Sequence, residues 1–347
     1  MSNTPPPLPR PRRKKRHIWP WLIFILVVAV IVFAGRTLRQ VSKSSALVHS
    51  KLMQRGMLSD RAVDEFPEMN EVWSYGNGTV KVARIAVHGV IMRTPQTGVF
   101  AMQGNMVDTI ISQIRHAQGD EKIKAIILDV DSPGGGVTAS DEIYKALQDF
   151  RASKEDRKVV VYMRDLAASG GYYVSMASDW LIAQPTTVLG SIGVIMQSYN
   201  VKGLGEKLGV TDVTIKSGAN KDLLNPFSEV DPAQMALLQE MINSMYEHFL
   251  GIVAKNRAIP AQDLRALADG RIFVAERAKE LALVDQIGYW DDVMKKTAEL
   301  LGEDSIKVVR YEQPMDFMRW IMGIRAPLQP LNWLAQYNSR FLYLWQP

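Results

Sequence analysis

Apolar and polar positions switch between two periods along most of the chain. Residues 80–87 (Val-Lys-Val-Ala-Arg-Ile-Ala-Val) alternate enough to read as a strand. Val107, Ile110, Ile111 and Ile114 recur on one helical face, which predicts an amphipathic helix over about 105–117. Residues 123–130 form a second apolar strand that runs into Asp131-Ser132-Pro133-Gly134-Gly135-Gly136. Thr138 and Asp141 are spaced like a capping box for a helix over 140–151. Further strands are expected at 159–163, 180–183, 191–196, 212–215 and 306–310. Helices are expected from residue 170 to 176, near 201–208, over 232–256, from Pro260, and over 275–281 and 291–301. Strands separated by helices predict an α/β fold with a mostly parallel sheet. No internal repeat of fixed period interrupts this reading.

The two ends depart from the pattern. Residues 1–17 are Pro-rich and then basic, a composition expected to be disordered. Seventeen uncharged residues follow, from Ile18 to Ala34, with Trp19 and Trp21 at their start. That length is the short end for a bilayer span, and indole rings favour the membrane interface. Six Lys or Arg fall within the seven positions 10–16, a denser cluster than Arg36, Arg39 and Lys43 beyond the run. The positive-inside rule then leaves the N-terminus in the cytoplasm and the body outside, so 18–35 is expected to be a signal-anchor of the inner (plasma) membrane. A cleaved signal ending near Val32-Phe33-Ala34 and a buried soluble helix are the competing readings. Residues 36–78, with the turn signal Gly76-Asn77-Gly78, read as a linker with helical pieces, and 79–312 as the folded body. In the tail, 313–347, aromatic residues from Phe317 to Trp345 are too dense for a solvated segment. Docking on its own domain, a contact between protomers and contact with the membrane surface are its three explanations.

Charge sharpens the picture. The whole chain is basic, but residues 1–55 hold 11 Lys and Arg with no acidic residue. Of 41 basic residues that leaves 30 in the remainder against all 36 acidic ones, a net of −6. An acidic body argues against a phosphate-binding surface, so no nucleic-acid partner is expected. The absence of cysteine rules out disulfides, thiolate chemistry and Cys-ligated zinc.

The candidate chemistry centres on Ala167-Ala168-Ser169-Gly170-Gly171, where a β-branched strand turns into the next segment. Small neighbours leave the Ser169 hydroxyl uncrowded, and glycine permits a sharp strand-to-helix turn. None of the five histidines (His17, His49, His88, His116, His248) follows that turn by a short loop, as a late triad histidine would. Neither a phosphate-binding loop, a dinucleotide fingerprint, a His-Glu-x-x-His pair nor a paired-carboxylate spacing is present, so no cofactor or metal is expected. A serine without histidine needs another base. Lysine serves when neutral, which requires its pKa to fall by roughly three units from about 10.4. Lys216 and Lys221 are the candidates: Lys216 ends a predicted strand, and Lys221 lies just before Leu223 and Leu224, which could turn it inward.

Four stretches in order, Asp131–Gly136, Ala167–Tyr173, Gly190-Ser191-Ile192-Gly193-Val194 and Lys216–Asp222, resemble the signal peptide peptidase A family in its short, single-repeat form. The likeness extends to Asp269-Gly270-Arg271-Ile272-Phe273 and Leu283-Val284-Asp285. It implies the fold of the Clp protease and crotonase superfamily. It also implies Ser169 as nucleophile, Lys221 as general base 52 residues later, and Ser191 as the hydroxyl that orients the lysine. Gly135 matches a backbone donor to the oxyanion, and the Gly170 amide is the second candidate. Ring or dome homo-oligomers, in which serine and lysine can come from neighbouring protomers, follow from the same resemblance. The implied substrates are remnant signal peptides, other short apolar peptides and misfolded envelope proteins. A crotonase-like enzyme acting on CoA thioesters and a non-catalytic membrane scaffold are the rival readings.

Overall fold

The computed structural model describes residues 69–93, 105–312 and 342–344. The leader, the expected membrane span, most of the linker and most of the tail lie outside them. All described residues belong to one unit, Val63–Pro347.

Its centre is a mostly parallel sheet. Strands β2 (Val80–His88), β3 (Ile123–Ser132) and β5 (Lys158–Ala168) lie side by side, followed by β6 (Trp180–Ala183) and β9 (Gln286–Ile287). On the other flank β10 (Ile306–Glu312) pairs parallel with β2, and β1 (Asn70–Tyr75) closes that edge antiparallel to β10. Both faces of the sheet are covered, which explains the near-continuous apolar runs of β3 and β5. Alternate residues serve different layers. Ile126, Leu128 and Val130 join the larger core, whereas Ala125 and Ile127 join the smaller one.

The larger core is roofed by α1 (Met106–Gly119), α2 (Val137–Ala152), α3 (Gly170–Ser175) and part of α5 (Pro232–Arg257). The Asn105 side chain caps α1 by accepting from the Val107 amide at 3.1 Å. The short α6 (Ala261–Arg265) and α7 (Ala275–Glu280) add Leu264, Ala275 and Ala278 to that core, and α4 (Lys202–Leu208) precedes α5 in the chain. The smaller core lies under α8 (Trp290–Leu301). There Asp129, fully buried on β3, is clasped by Arg84 of β2 and Arg164 of β5. Burial pushes its carboxyl upward, but the two guanidinium groups outweigh that and hold it below the usual carboxylate range.

Four expectations are corrected. Asn70–Tyr75 is a strand rather than linker, because Trp73 and its neighbours find a partner in β10. Helix α2 begins at Val137 with Gly136 as its N-cap, so Thr138 lies inside the helix and forms no capping box with Asp141. The strand expected at 191–196 is instead β7 (Val188–Gly190), which pairs with β5 and with β8 (Ile272–Val274); beyond it only Ile195 makes a bridge. Residues 212–215 form no strand, for they find no partner strand among the described residues, and Val213 and Ile215 stand 83% and 97% exposed.

Candidate active site

Ser169 sits at the junction of β5 and α3, 1% exposed. Its backbone takes φ 52 and ψ −114, a conformation that residues with side chains rarely adopt. Two contacts hold it there: the Ser169 amide donates to the Gly190 carbonyl at 2.7 Å, and the Tyr173 amide donates to the Ser169 carbonyl at 2.8 Å. The first depends on β7, which is braced by β8 with Gly190 opposite Ile272 and Leu189 opposite Phe273. The Asp269–Phe273 stretch therefore supports the serine turn from behind.

The glycine turn lies directly against this elbow. Ser132 pins it, donating to the Gly89 carbonyl at 2.6 Å and accepting from the Gly134 amide at 3.1 Å. Gly134–Gly136 then forms a short strand, β4. On one edge Ile91 donates to the Gly134 carbonyl and accepts from the Gly136 amide, both at 2.8 Å. Gly135, between them, turns its own N–H and C=O to the opposite edge. The approach to Ser169 is close: a methyl group on Gly134 would lie 2.5 Å from the Gly170 nitrogen. One on Gly170 would lie 3.0 Å from the Gly135 nitrogen and 2.6 Å from the Ser140 hydroxyl. Only glycine fits, and the two backbone amides stand beside one another next to Ser169.

Ser191 follows β7 at φ 51, with its amide donating to the Arg271 carbonyl at 2.8 Å. Since Gly190 pairs with Ala168, Ser191 is placed alongside Ser169. The structure thus brings Ser169, Ser191, Gly135 and Gly170 together within one chain.

It does not bring Lys221 to them. Lys221 is exposed on the stretch between α4 and α5, and its amine has no hydrogen-bond or ion-pair partner, Ser169 and Ser191 included, among the described residues. Lys216, the other candidate, is engaged: its amine lies 2.7 Å from Asp222 and holds that carboxyl below the usual range. A cavity of about 520 Å³ beside this stretch is lined by Lys216, Asp222, Leu224, Tyr199 and Leu238, among others, but not by Ser169.

The histidines fall elsewhere. His88 Nε2 lies 3.5 Å from Asp129, and His248 Nε2 lies 3.6 Å from Asp141, whose carboxylate accepts from the Tyr173 hydroxyl. Among the described residues no cluster of three or more histidine and carboxylate side chains is placed to hold a metal ion. Ser132, inside the Asp131–Gly136 stretch, and Ser140 just after it position the glycine turn together with Ile91, which is distant in sequence and carries no sequence signal. Leu283 and Asp285 are structural: the Leu283 carbonyl accepts from Tyr172, and Asp285 pairs with Arg257 at 2.8 Å.

The sequence also has counterparts among known proteins. The Peptidase family S49 profile matches residues 151–303, and the Clp protease profile matches 97–187. A protein of Enterococcus faecium with the provisional name signal peptide peptidase SppA is 39% identical over 242 residues, 70% of each chain. A Synechocystis protein provisionally named a protease is 34% identical across 75% of this chain and 90% of its own length. Protease 4 of Salmonella typhi is 36% identical over 64% of this chain but 35% of that protein. These likenesses favour the peptidase over the CoA-thioester enzyme and the scaffold. The chain belongs to peptidase family S49, the SppA family of serine peptidases.

Proposed function

We propose that this chain is a membrane-anchored endopeptidase that cleaves short apolar peptides, remnant signal peptides foremost, with Ser169 as nucleophile and Lys221 as base. The observation that carries the proposal is the strained Ser169 turn set against the paired amides of Gly135 and Gly170. In the reaction, the neutral Lys221 amine takes the Ser169 hydroxyl proton as Oγ bonds to the substrate carbonyl carbon. The carbonyl oxygen becomes an oxyanion facing the two amides, where preorganised donors are worth several kcal/mol. Collapse breaks the C–N bond, and the leaving amine takes the proton from Lys221. Water, deprotonated by the same amine, then hydrolyses the acyl-serine and restores Ser169. Ser191 serves to orient the lysine.

A lysine acts as base only when neutral, and burial in an apolar contact favours the neutral form. The exposure of Lys221 therefore supports a site completed by a second copy of the chain, in a ring or dome that places Lys221 of one protomer at Ser169 of its neighbour. The apolar span at 18–34 and its flanking charges support an inner-membrane anchor with the peptidase body outside the cytoplasm. No helix of the described residues is long and apolar enough to cross a membrane, and the proposed span lies outside them.

The test is complementation. Ser169→Ala and Lys221→Ala homo-oligomers are each expected to lose at least about 10³-fold in peptide hydrolysis. Co-expressed in equal amounts they are expected to recover roughly a quarter of parent activity, because random assembly places an intact serine beside an intact lysine at that fraction of interfaces. No recovery in verified mixed oligomers would contradict the shared site.

A further inference from the structure

Lys221 stands in a turn that one neighbouring side chain ties together. The Lys216 amine donates to the Asp222 carboxylate at 2.7 Å and to the Ala219 carbonyl at 3.3 Å, so it reaches residues on both sides of Lys221. Gln234, on α5, donates to the same Ala219 carbonyl at 3.0 Å. Backbone bonds add little: the Lys221 amide donates to the Gly218 carbonyl at 3.2 Å, and the Asn225 amide to the Asp222 carbonyl at 3.0 Å. No helix or strand lies between α4 and α5, so these few bonds define the turn.

Charge gives the Lys216 contact a second consequence. Asp222 follows Lys221 directly in the chain. A carboxylate close to an amine favours its protonated form, which is the wrong form for a base. Lys216 is the cation paired with Asp222 among the described residues, and its hydrogen bond holds that carboxyl below the usual range. Other charged groups around the turn are engaged elsewhere. Asp212 accepts from Asn225 and Thr214, Glu229 pairs with Lys202, and Asp231 caps α5 by accepting from the Ala233 amide. Near Ser191, Asp269 and Arg271 are bonded to each other. Asp222 is thus the carboxylate next to the proposed base, and Lys216 is what offsets it.

We propose that Lys216 is a positioning residue that acts on Lys221 through Asp222. It draws the carboxylate to itself and cancels its charge, so that Lys221 reaches the neighbour's Ser169 as a neutral amine. This rests on the Ser169–Lys221 reading above.

The experiment records kcat/KM against pH for the full chain, with assembly followed by sedimentation. On that reading kcat/KM rises with pH as the base of the free enzyme loses its proton. Lys216→Met leaves the Asp222 carboxylate uncompensated, so the midpoint of the rise is expected about one pH unit higher, with about a tenfold loss below the parent midpoint. An exposed ion pair holds little of a fold together, so the high-pH plateau is expected to fall less than about threefold. Asp222→Asn removes the carboxylate and frees the Lys216 ammonium, and its midpoint is expected about one pH unit lower. The double variant is expected near the parent midpoint, and Lys216→Arg, which keeps the charge, at it. Asp222→Asn reads the same charge without altering Lys216, so its midpoint decides if Lys216→Met fails to assemble. Midpoints that stay at the parent value, or that move in the same direction in both single variants, would overturn the inference alone. A Lys221→Ala protein as active as the parent would overturn the base assignment and this inference with it.

Discussion

Ser169 holds a side chain where the backbone would accommodate glycine more easily, and such strain costs on the order of 1–3 kcal/mol unless the surroundings impose it. The amide bonds to Gly190 and from Tyr173 impose it. Ser169→Gly is therefore expected to abolish hydrolysis while raising stability by about 1 kcal/mol, read from the denaturant midpoint. A lower midpoint would contradict the strain. Gly170→Ala presses a methyl to 2.6 Å from the Ser140 hydroxyl and 3.0 Å from the Gly135 nitrogen. Overpacking of that kind costs about 1–3 kcal/mol, and displacing one oxyanion donor costs about 10²-fold or more in kcat. Lys221→Arg keeps the charge but cannot offer a neutral base, so it is expected to be as inactive as Lys221→Ala. His248→Ala is expected to retain parent kcat. At this scale the Ser169 turn was legible because small residues flank it, whereas Lys216 proves engaged with Asp222 and Lys221 stands exposed away from the turn, so the base could not be read from one chain. Ser132, Ser140 and Ile91 were not legible, since their roles exist only once β2, β3 and α2 converge on the glycine turn.

Among the elements, the parallel strands were readable because burial on both faces makes them continuously apolar. Strand β5 runs past the expected end at residue 163 to Ala168, for Arg164 and Asp165 break the apolar run while the backbone keeps pairing, later with β7. Arg164 is part of the reason the strands hold together, since its guanidinium reaches Asp129 from β5 as Arg84 does from β2. Asp129→Asn leaves two arginines without their charge partner and is expected to cost about 3–5 kcal/mol at neutral pH. The Asp129 carboxyl is held below its ordinary value when folded, so its stabilisation is present above the unfolded pKa and is lost as pH falls through the depressed one. The difference between parent and Asp129→Asn is therefore expected to shrink on acidification below about pH 4, measured by urea denaturation. A difference that grows with acid would contradict the sign. The strand expected at 212–215 has the alternation of a strand but no partner strand among the described residues, so pattern alone could not decide it.

At the scale of the molecule, the exposed large apolar side chains of the described residues are concentrated between Tyr199 and Met241, with Leu204, Leu208, Val210, Val213 and Ile215 on the stretch that carries Lys221. On the proposed reading, this surface is where a second copy of the chain docks. Replacing Val213 and Ile215 together by Asp is expected to yield smaller species in sedimentation and to lower hydrolysis at least about 10²-fold, through loss of the neighbour's lysine. Full assembly with lost activity, or small species with full activity, would separate assembly from catalysis. The anchor expected at 18–34 lies outside the described residues, and on the proposed reading the full chain is expected to stay with membranes through alkaline extraction. Covalent labelling with a serine-directed phosphonate, followed by peptide mapping, tests the centre of the account most directly. The account predicts one adduct, on Ser169, formed by the parent and not by Lys221→Ala; an adduct on any other serine, or equal labelling of both proteins, would contradict it.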